Sequence, residues 1–174
     1  MQRYSTSALR FPWEKEGDSA PGWYSRTFAL AEKLHEGQTD KRGEPYIWHL
    51  SRTALRVADI FSGPRPWIEA ALLHDSIEDT PANPGDLLAA GLSPEVVRIV
   101  EAVTKPEGMR SSGYLAWVES IAHGDSLGAK AVKAADLLDN SDPLRSAPNW
   151  SERALTKYAP ARAVLLPVVG LAAE

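Results

Sequence analysis

Apolar and polar positions follow a helical repeat along nearly the whole chain. From Trp23 to His35, apolar residues fall at Trp23, Phe28, Leu30, Ala31 and Leu34, and Gly37 follows as a stop signal. A polar loop over Gln38 to Glu44 leads to Pro45, which opens a second helix reaching about Phe61. Ile47, Leu50, Ala54, Leu55, Val57 and Ala58 form its core stripe. Ser62-Gly63-Pro64 reads as a turn, and Pro66 to Asp79 as a third helix ended before Pro81. A short helix over Gly85 to Ala90 stops at Gly91; Ser93 then caps a helix that has Pro94 at its first position and runs to about Val103. After a loop over Lys105 to Gly113, further helices are predicted at Tyr114 to His123, Gly128 to Asn140 and Ser151 to Leu171, with Pro160 and Pro167 as kink points in the last. Strand-like alternation is essentially absent, so the fold expected is an all-α orthogonal bundle. Residues 1–22 read as an N-terminal arm, with Phe11, Trp13 and the adjoining Trp23 as apolar anchors, and residues 23–174 as one domain.

Composition narrows the chemistry. With 174 residues, 44% of them hydrophobic and 24% charged, the chain can bury a sizeable core. Its net charge of −4 provides no basic field to draw in nucleic acid, so a polyanionic ligand must be held by local cations or a metal. Without cysteine, disulfides and thiolate metal sites are excluded, and any metal must use His, Asp, Glu or amide oxygen. No run of 18 apolar residues suits a membrane span, and the first residues lack the apolar stretch of a signal peptide, so the cytoplasm is the compartment expected. Trp67, Trp117 and Trp150 are read as core aromatics in preference to an interface.

The segment Ala-Leu-Leu-His74-Asp75-Ser-Ile-Glu78-Asp79-Thr80 sets four metal-binding or proton-handling side chains on an otherwise apolar stretch. On a helix, His74 and Glu78, and likewise Asp75 and Asp79, would stack one turn apart. Asp136 sits in an equally apolar setting, Ala-Val-Lys-Ala-Ala-Asp-Leu-Leu, where a lone carboxylate would lose several kcal/mol to desolvation unless paired or metal-bound. His35, His74, Asp75 and Asp136 together make a set of two histidines and two carboxylates, which suits Mn²⁺, Fe²⁺ or Zn²⁺ better than Ca²⁺ or Mg²⁺. Taken singly, each has a plainer reading: His35 as a cation at a helix end, Glu78-Asp79 as an acidic surface turn, Asp136 as a cap or ion-pair partner. His49 reads as a core or outer-shell histidine, His123 as a surface helix terminus, and Asp139 and Asp142 as a solvated helix end.

The joint order H…HD…D resembles the HD superfamily of metal-dependent phosphohydrolases. More narrowly, Ala31-Glu-Lys-Leu-His35-Glu-Gly-Gln38, Gly43-Glu-Pro-Tyr-Ile47 with His49, Leu73-His-Asp-Ser-Ile-Glu-Asp-Thr80, Val103-Thr-Lys105 and Ala135-Asp-Leu-Leu-Asp-Asn140 are similar to the hydrolase domain of the RelA/SpoT family, over most of the chain from about Trp23. The resemblance implies a single-domain small alarmone hydrolase with the HD-domain helical bundle. It would release pyrophosphate from the ribose 3′ position of (p)ppGpp and leave GDP or GTP. It further implies one Mn²⁺, with Fe²⁺ or Zn²⁺ as alternatives, held by His35, His74, Asp75 and Asp136, and Glu78 and Asp79 as the catalytic acid pair. Lys41 and Arg42 would lie along the base or phosphates, Asn140 would touch the nucleotide, and Tyr158 would line its site. The expected partner is a small nucleotide, with neither nucleic acid nor membrane; nothing in the sequence bears on oligomeric state. The chain departs from the family at Asp40, Leu50, Asp139 and Asp142. Acid at positions 139 and 142, where a basic or neutral group is usual, leaves open an HD phosphatase acting on another nucleotide, such as the 2′-phosphate of NADPH or a nucleoside monophosphate. A binding module that keeps the fold without turnover is a third reading, opposed by the presence of all six core residues.

Overall fold

The computed structural model of the protein describes residues 22–40, 42–142 and 152–172; Phe11, Trp13, Lys41 and Trp150 lie outside them. Among the described residues nine α-helices follow one another, with a 3₁₀ turn over Ser111–Gly113 before the seventh: α1 Gly22–Leu34, α2 Ile47–Ile60, α3 Arg65–Leu73, α4 Ser76–Asp79, α5 Pro84–Ala89, α6 Pro94–Val103, α7 Tyr114–His123, α8 Leu127–Asn140 and α9 Glu152–Val168. Among the described residues there is no β-strand; one antiparallel bridge, Thr39 to Pro45, pinches the loop after α1. The all-α bundle read from the sequence is the architecture observed.

The local signals act as their chemistry dictates. Ser93 Oγ accepts from the Val96 amide at 3.3 Å, with Pro94 opening α6. Asn83 and Asp86 form a reciprocal capping box on α5. Gly37 ends the first helical run at φ +76°, and Gly43 turns the following loop at φ +79°, both in the left-handed region that glycine enters without strain.

Helix α8 runs through the middle of the molecule and packs on α2, α3, α6, α7 and α9. Its Ala129, Ala131, Ala134 and Ala135 let the neighbouring helices approach, while Val132 and Leu137 fill the core with Leu50 and Val57 of α2 and Leu72 of α3. A helix enclosed on nearly every side also buries its polar residues, here Lys133, Asp136 and Asp139. At the start of α8, a Cβ on Gly128 would lie 2.6 Å from Ile99 Cδ1 and 2.9 Å from the Trp67 ring. Alanine there gains up to about 1 kcal/mol of helix propensity but overpacks against a rigid indole, which costs about 1–3 kcal/mol. Gly128→Ala should therefore lower stability by about 1–2 kcal/mol in urea unfolding, and an unchanged midpoint would show that the contact relaxes freely.

The third predicted helix is broken in two. Helix α3 stops at Leu73, and α4 begins at Ser76. His74 Nδ1 lies 2.8 Å from the Ala71 carbonyl and Ser76 Oγ donates to the Leu73 carbonyl at 2.6 Å, so side chains take the acceptors that helix amides would use. Asp75 takes φ −98° and ψ 0°, the sparsely populated bridge region. The amide of Asp79 still bonds the Asp75 carbonyl at 2.8 Å, so one helical turn carries the chain onward. The break comes at the residues that carry the chemistry.

Candidate active site

Four polar side chains converge from three places in the bundle: His49 from the first turn of α2, His74 and Asp75 from the break between α3 and α4, and Asp136 from α8. One ligand atom each from His49, His74 and Asp136 lies within 4.8 Å of the others, close enough to share a metal ion. His49 Nε2 is 3.4 Å from Asp136 Oδ1 and 3.6 Å from Asp75 Oδ2. His74 Nε2 is 3.1 Å from Asp75 Oδ2 and 3.6 Å from Asp136 Oδ1. It is buried and, despite the short distance, not in hydrogen-bonding geometry with any partner. Both rings have Nδ1 engaged elsewhere, His74 on the Ala71 carbonyl and His49 on Asp139 at 2.7 Å, so Nε2 of each is the nitrogen turned toward the carboxylates. A buried orphan nitrogen among two carboxylates and a second imidazole is a donor set for a divalent metal such as Mn²⁺, Fe²⁺ or Zn²⁺.

The electrostatics describe the same cluster. Burial opposes charging of His74, but the Asp75 charge and the closeness of the Asp136 and Asp75 carboxylates push its imidazole up to about 9. His49 is also raised, because bonds to Asp136, Asp139 and Asp75 outweigh its burial. Burial would lift Asp75 and Asp136, yet the charges of His74 and Lys133 respectively, with the imidazole bonds, hold both carboxyls well below the usual range. Imidazole and carboxylate thus favour each other's charged forms here, and a divalent cation bound to the same atoms would displace protons from the imidazoles.

His35 does not join this group, which corrects the ligand set expected from the sequence: the geometry offers His49 in its place. His35 is buried at the end of the first helical run with its ring stacked on Tyr46 at 5.1 Å, and Tyr46 in turn meets the His49 ring edge-on at 5.5 Å. His35 Nδ1 pairs with Gln38 Oε1 at 2.8 Å, and Gln38 Nε2 donates to the Asp79 carbonyl at 2.8 Å. His35 therefore braces the backbone of the acidic turn. Tyr46 O–H donates to Asp75 Oδ2 at 2.6 Å and lies 3.4 Å from Asp79 Oδ2.

Glu78 and Asp79 both reach the cavity beside the cluster, in different states. Glu78 Oε2 accepts from the Lys105 amide at 3.0 Å, and its Oε1 is ion-paired with the Lys105 ammonium. Asp79 is exposed on the cavity side, and its carboxyl is raised by partial loss of solvent and by the charges of Asp75 and Glu78.

The cavity above the cluster measures about 390 Å³, within the range of small-ligand pockets. Of the substrate-contacting residues expected from the sequence, Arg42, Asn140 and Tyr158 line it, and Lys41 lies outside the described residues. Asn140 Nδ2 also donates to Asp136 Oδ1. Sequence reasoning missed the opposite wall. There Lys133 Nζ bonds Asp136 Oδ2 at 2.8 Å and sits 4.5 Å over Trp117, while Lys157 Nζ sits 4.3 Å over Tyr114 and 5.2 Å over Tyr158. The departures at positions 139 and 142 do not put acid into this cavity, nor is Asp139 a solvated helix end: it is fully buried, with Arg52 and Arg56 on it, and Asp142 pairs with Arg56. Asp40 does reach the cavity, but its Oδ1 accepts from the amides of Arg42 at 2.8 Å and Glu44 at 3.1 Å, which closes the loop.

This arrangement, with imidazole, adjacent imidazole-carboxylate and distant carboxylate on an all-α bundle, agrees with comparison to known proteins. The family model for the HD domain matches residues 27–135, more than half of the chain, and the chain belongs to that family. The bifunctional (p)ppGpp synthase/hydrolase SpoT of Escherichia coli (strain K12) is 38% identical over 85 residues, covering 49% of this chain and 12% of that protein. A GTP pyrophosphokinase of Myxococcus xanthus is 31% identical over 150 residues, covering 77% of this chain and 18% of that protein. The chain thus spans under a fifth of the length of either relative. A solved structure of a metazoan ortholog of SpoT that hydrolyzes ppGpp superposes with a TM-score of 0.72 at 23% identity, covering 87% of this chain and 88% of that one. At that identity the likeness establishes the common fold.

Proposed function

We propose that this chain hydrolyses the 3′-diphosphate of (p)ppGpp in a Mn²⁺-dependent reaction, giving pyrophosphate and GDP or GTP. The observation that carries the reading is the convergence of His49 and His74 Nε2 with the oxygens of Asp75 and Asp136 on the floor of a cavity walled by cations and aromatic rings. These four residues would hold the metal, which supplies Lewis-acid polarisation of a phosphoryl oxygen and a lowered pKa for water. Tyr46 fixes Asp75 by its hydroxyl and keeps that carboxylate turned toward the cluster. Asp79 stands ready to take the proton of the attacking water, whose oxygen forms the new bond to phosphorus as the bond from phosphorus to the ribose 3′ oxygen breaks; that oxygen then takes up a proton, which Asp79 can give back. Arg42 and Lys105 offset charge on the diphosphate, and Tyr158 offers a face for the nucleotide. The names of the HD relatives, which include (p)ppGpp hydrolysis, support the choice of substrate.

Product analysis tests the proposal. The purified full chain with Mn²⁺ should release pyrophosphate from ppGpp and should lose that activity with a chelator. Orthophosphate release from NADPH or a nucleoside monophosphate, with ppGpp untouched, would replace this reading with an HD phosphatase of different specificity. Binding of ppGpp with no turnover of any nucleotide would leave a binding module.

A further inference from the structure

One face of α2 carries His49, Arg52 and Arg56 at spacings of three and four residues, so all three point the same way from the helix. They meet Asp139, which has no exposed surface. Its Oδ2 lies 2.7 Å from His49 Nδ1, its Oδ1 accepts from Arg52 Nε at 3.0 Å and from Arg56 Nη1, and Arg56 Nη2 reaches on to Asp142 Oδ2 at 3.1 Å. None of Arg52, Arg56, Asp139 and Asp142 lines the cavity. The network meets the cavity at two places, the His49 ring and, through Arg52 Nη2 at 3.8 Å, the Asp40 carboxylate that closes the loop; of these the His49 ring is the one that faces the metal cluster. With two guanidiniums donating to it, Asp139 is a carboxylate acceptor, so His49 Nδ1 donates to it and Nε2 is the nitrogen left to offer its lone pair to a metal held with Asp75 and Asp136.

We infer that Asp139, clamped by Arg52 and Arg56, is the positioning residue that fixes the tautomer and aim of His49 and thereby sets the affinity of the site for its divalent metal. His74 supplies the contrast within the same site, since its Nδ1 is held by the neutral Ala71 carbonyl at 2.8 Å. One imidazole is thus pinned by the helix backbone and the other by a charged group that two arginines hold still. An outer carboxylate on a ligating histidine fixes its orientation and raises its basicity, and loss of such a partner costs about 10–100-fold in metal affinity. The forked guanidinium of Arg56 spans two carboxylates at once, which a lysine ammonium on its flexible stem does not reproduce.

The inference rests on the metal reading of the cluster, and titration calorimetry with Mn²⁺ on the full chain separates the two. Parent protein that binds no Mn²⁺ overturns both. If the parent binds, Asp139→Asn should weaken Mn²⁺ about 10–100-fold in the folded protein and shift the visible absorption bands of the Co²⁺-substituted protein, because the field of one ligand changes. Arg56→Lys conserves charge and loses the two-pronged hold, so it should weaken Mn²⁺ about 3–10-fold even where Asp139→Asn does not fold. A purely structural role would lower the melting temperature of both variants while leaving Mn²⁺ affinity within twofold and the Co²⁺ bands unmoved, and that result overturns the inference.

Discussion

His49→Ala should abolish Mn²⁺-dependent turnover, with kcat/KM falling on the order of 10³-fold, about 4 kcal/mol of transition-state stabilisation. His35→Ala should leave Mn²⁺ affinity within a few-fold of the parent. The two histidines differ in what they face. His49 Nε2 looks across 3.4 Å at Asp136 and 3.6 Å at Asp75, whereas His35 stacks on Tyr46 and bonds Gln38. Removing His49 takes away one of two nitrogen donors and leaves two buried carboxylates with less to balance them. Removing His35 loosens Gln38 and, through it, the Asp79 backbone, so its cost should fall on stability and modestly on kcat. Calorimetric Mn²⁺ binding beside steady-state kinetics decides the matter. Loss of metal in the His35 variant with retention in the His49 variant would restore the ligand set read from the sequence.

That ligand set shows where the sequence stops being informative. Helices α1, α2 and α6 fall within a residue or two of their predicted spans, because each carries both an apolar stripe and a local start or stop: Gly37, Pro45, Ser93-Pro94. The break at His74 was hidden, since the repeat runs on through Ser76 to Asp79, and only side-chain bonds to the Ala71 and Leu73 carbonyls interrupt it. His74, Asp75 and Asp136 were legible because a charged group in an apolar run demands a partner. The choice between His35 and His49 depends on which side of Tyr46 each ring lies, and that is a tertiary fact.

A signal for His49 was nevertheless present. His49, Arg52 and Arg56 form a polar stripe on a helix that buries most of its residues, and cations on such a stripe must meet acid somewhere. Asp139 and Asp142 were the acids available, three and six residues past Asp136. Pairing the two stripes across α2 and α8 would have set His49 beside Asp136 and removed both departures from the ligand-facing wall. The wall of Lys133, Lys157, Tyr114 and Trp117 was not legible in this way. Those residues come from three helices and share a cavity only through the packing of α7 and α9 on α8.

Asp79→Asn should cost about 10²–10⁴-fold in kcat, the range for loss of a positioned proton acceptor. Glu78→Gln should cost only about tenfold in kcat, with a rise in KM. The two carboxylates are neighbours in sequence but not in role. Both oxygens of Glu78 are engaged by Lys105, one by its amide at 3.0 Å and the other by its ammonium, so Glu78 is tied down and in turn holds a cavity-lining cation in place. Asp79 has a looser contact, the Tyr46 hydroxyl at 3.4 Å, and its carboxyl is raised by partial loss of solvent and by Asp75 and Glu78. A carboxylate raised from its ordinary value is the stronger base, and this one opens onto the cavity beside the metal cluster. Glutamine at position 78 could still accept from the Lys105 amide but would release its ammonium, which weakens the hold on substrate phosphates more than the proton transfer. Steady-state kinetics on ppGpp with saturating Mn²⁺ distinguishes these patterns, provided both variants bind Mn²⁺ like the parent. A larger fall in kcat for Glu78→Gln than for Asp79→Asn would exchange the two roles and make the Glu78–Lys105 pair the centre of proton transfer.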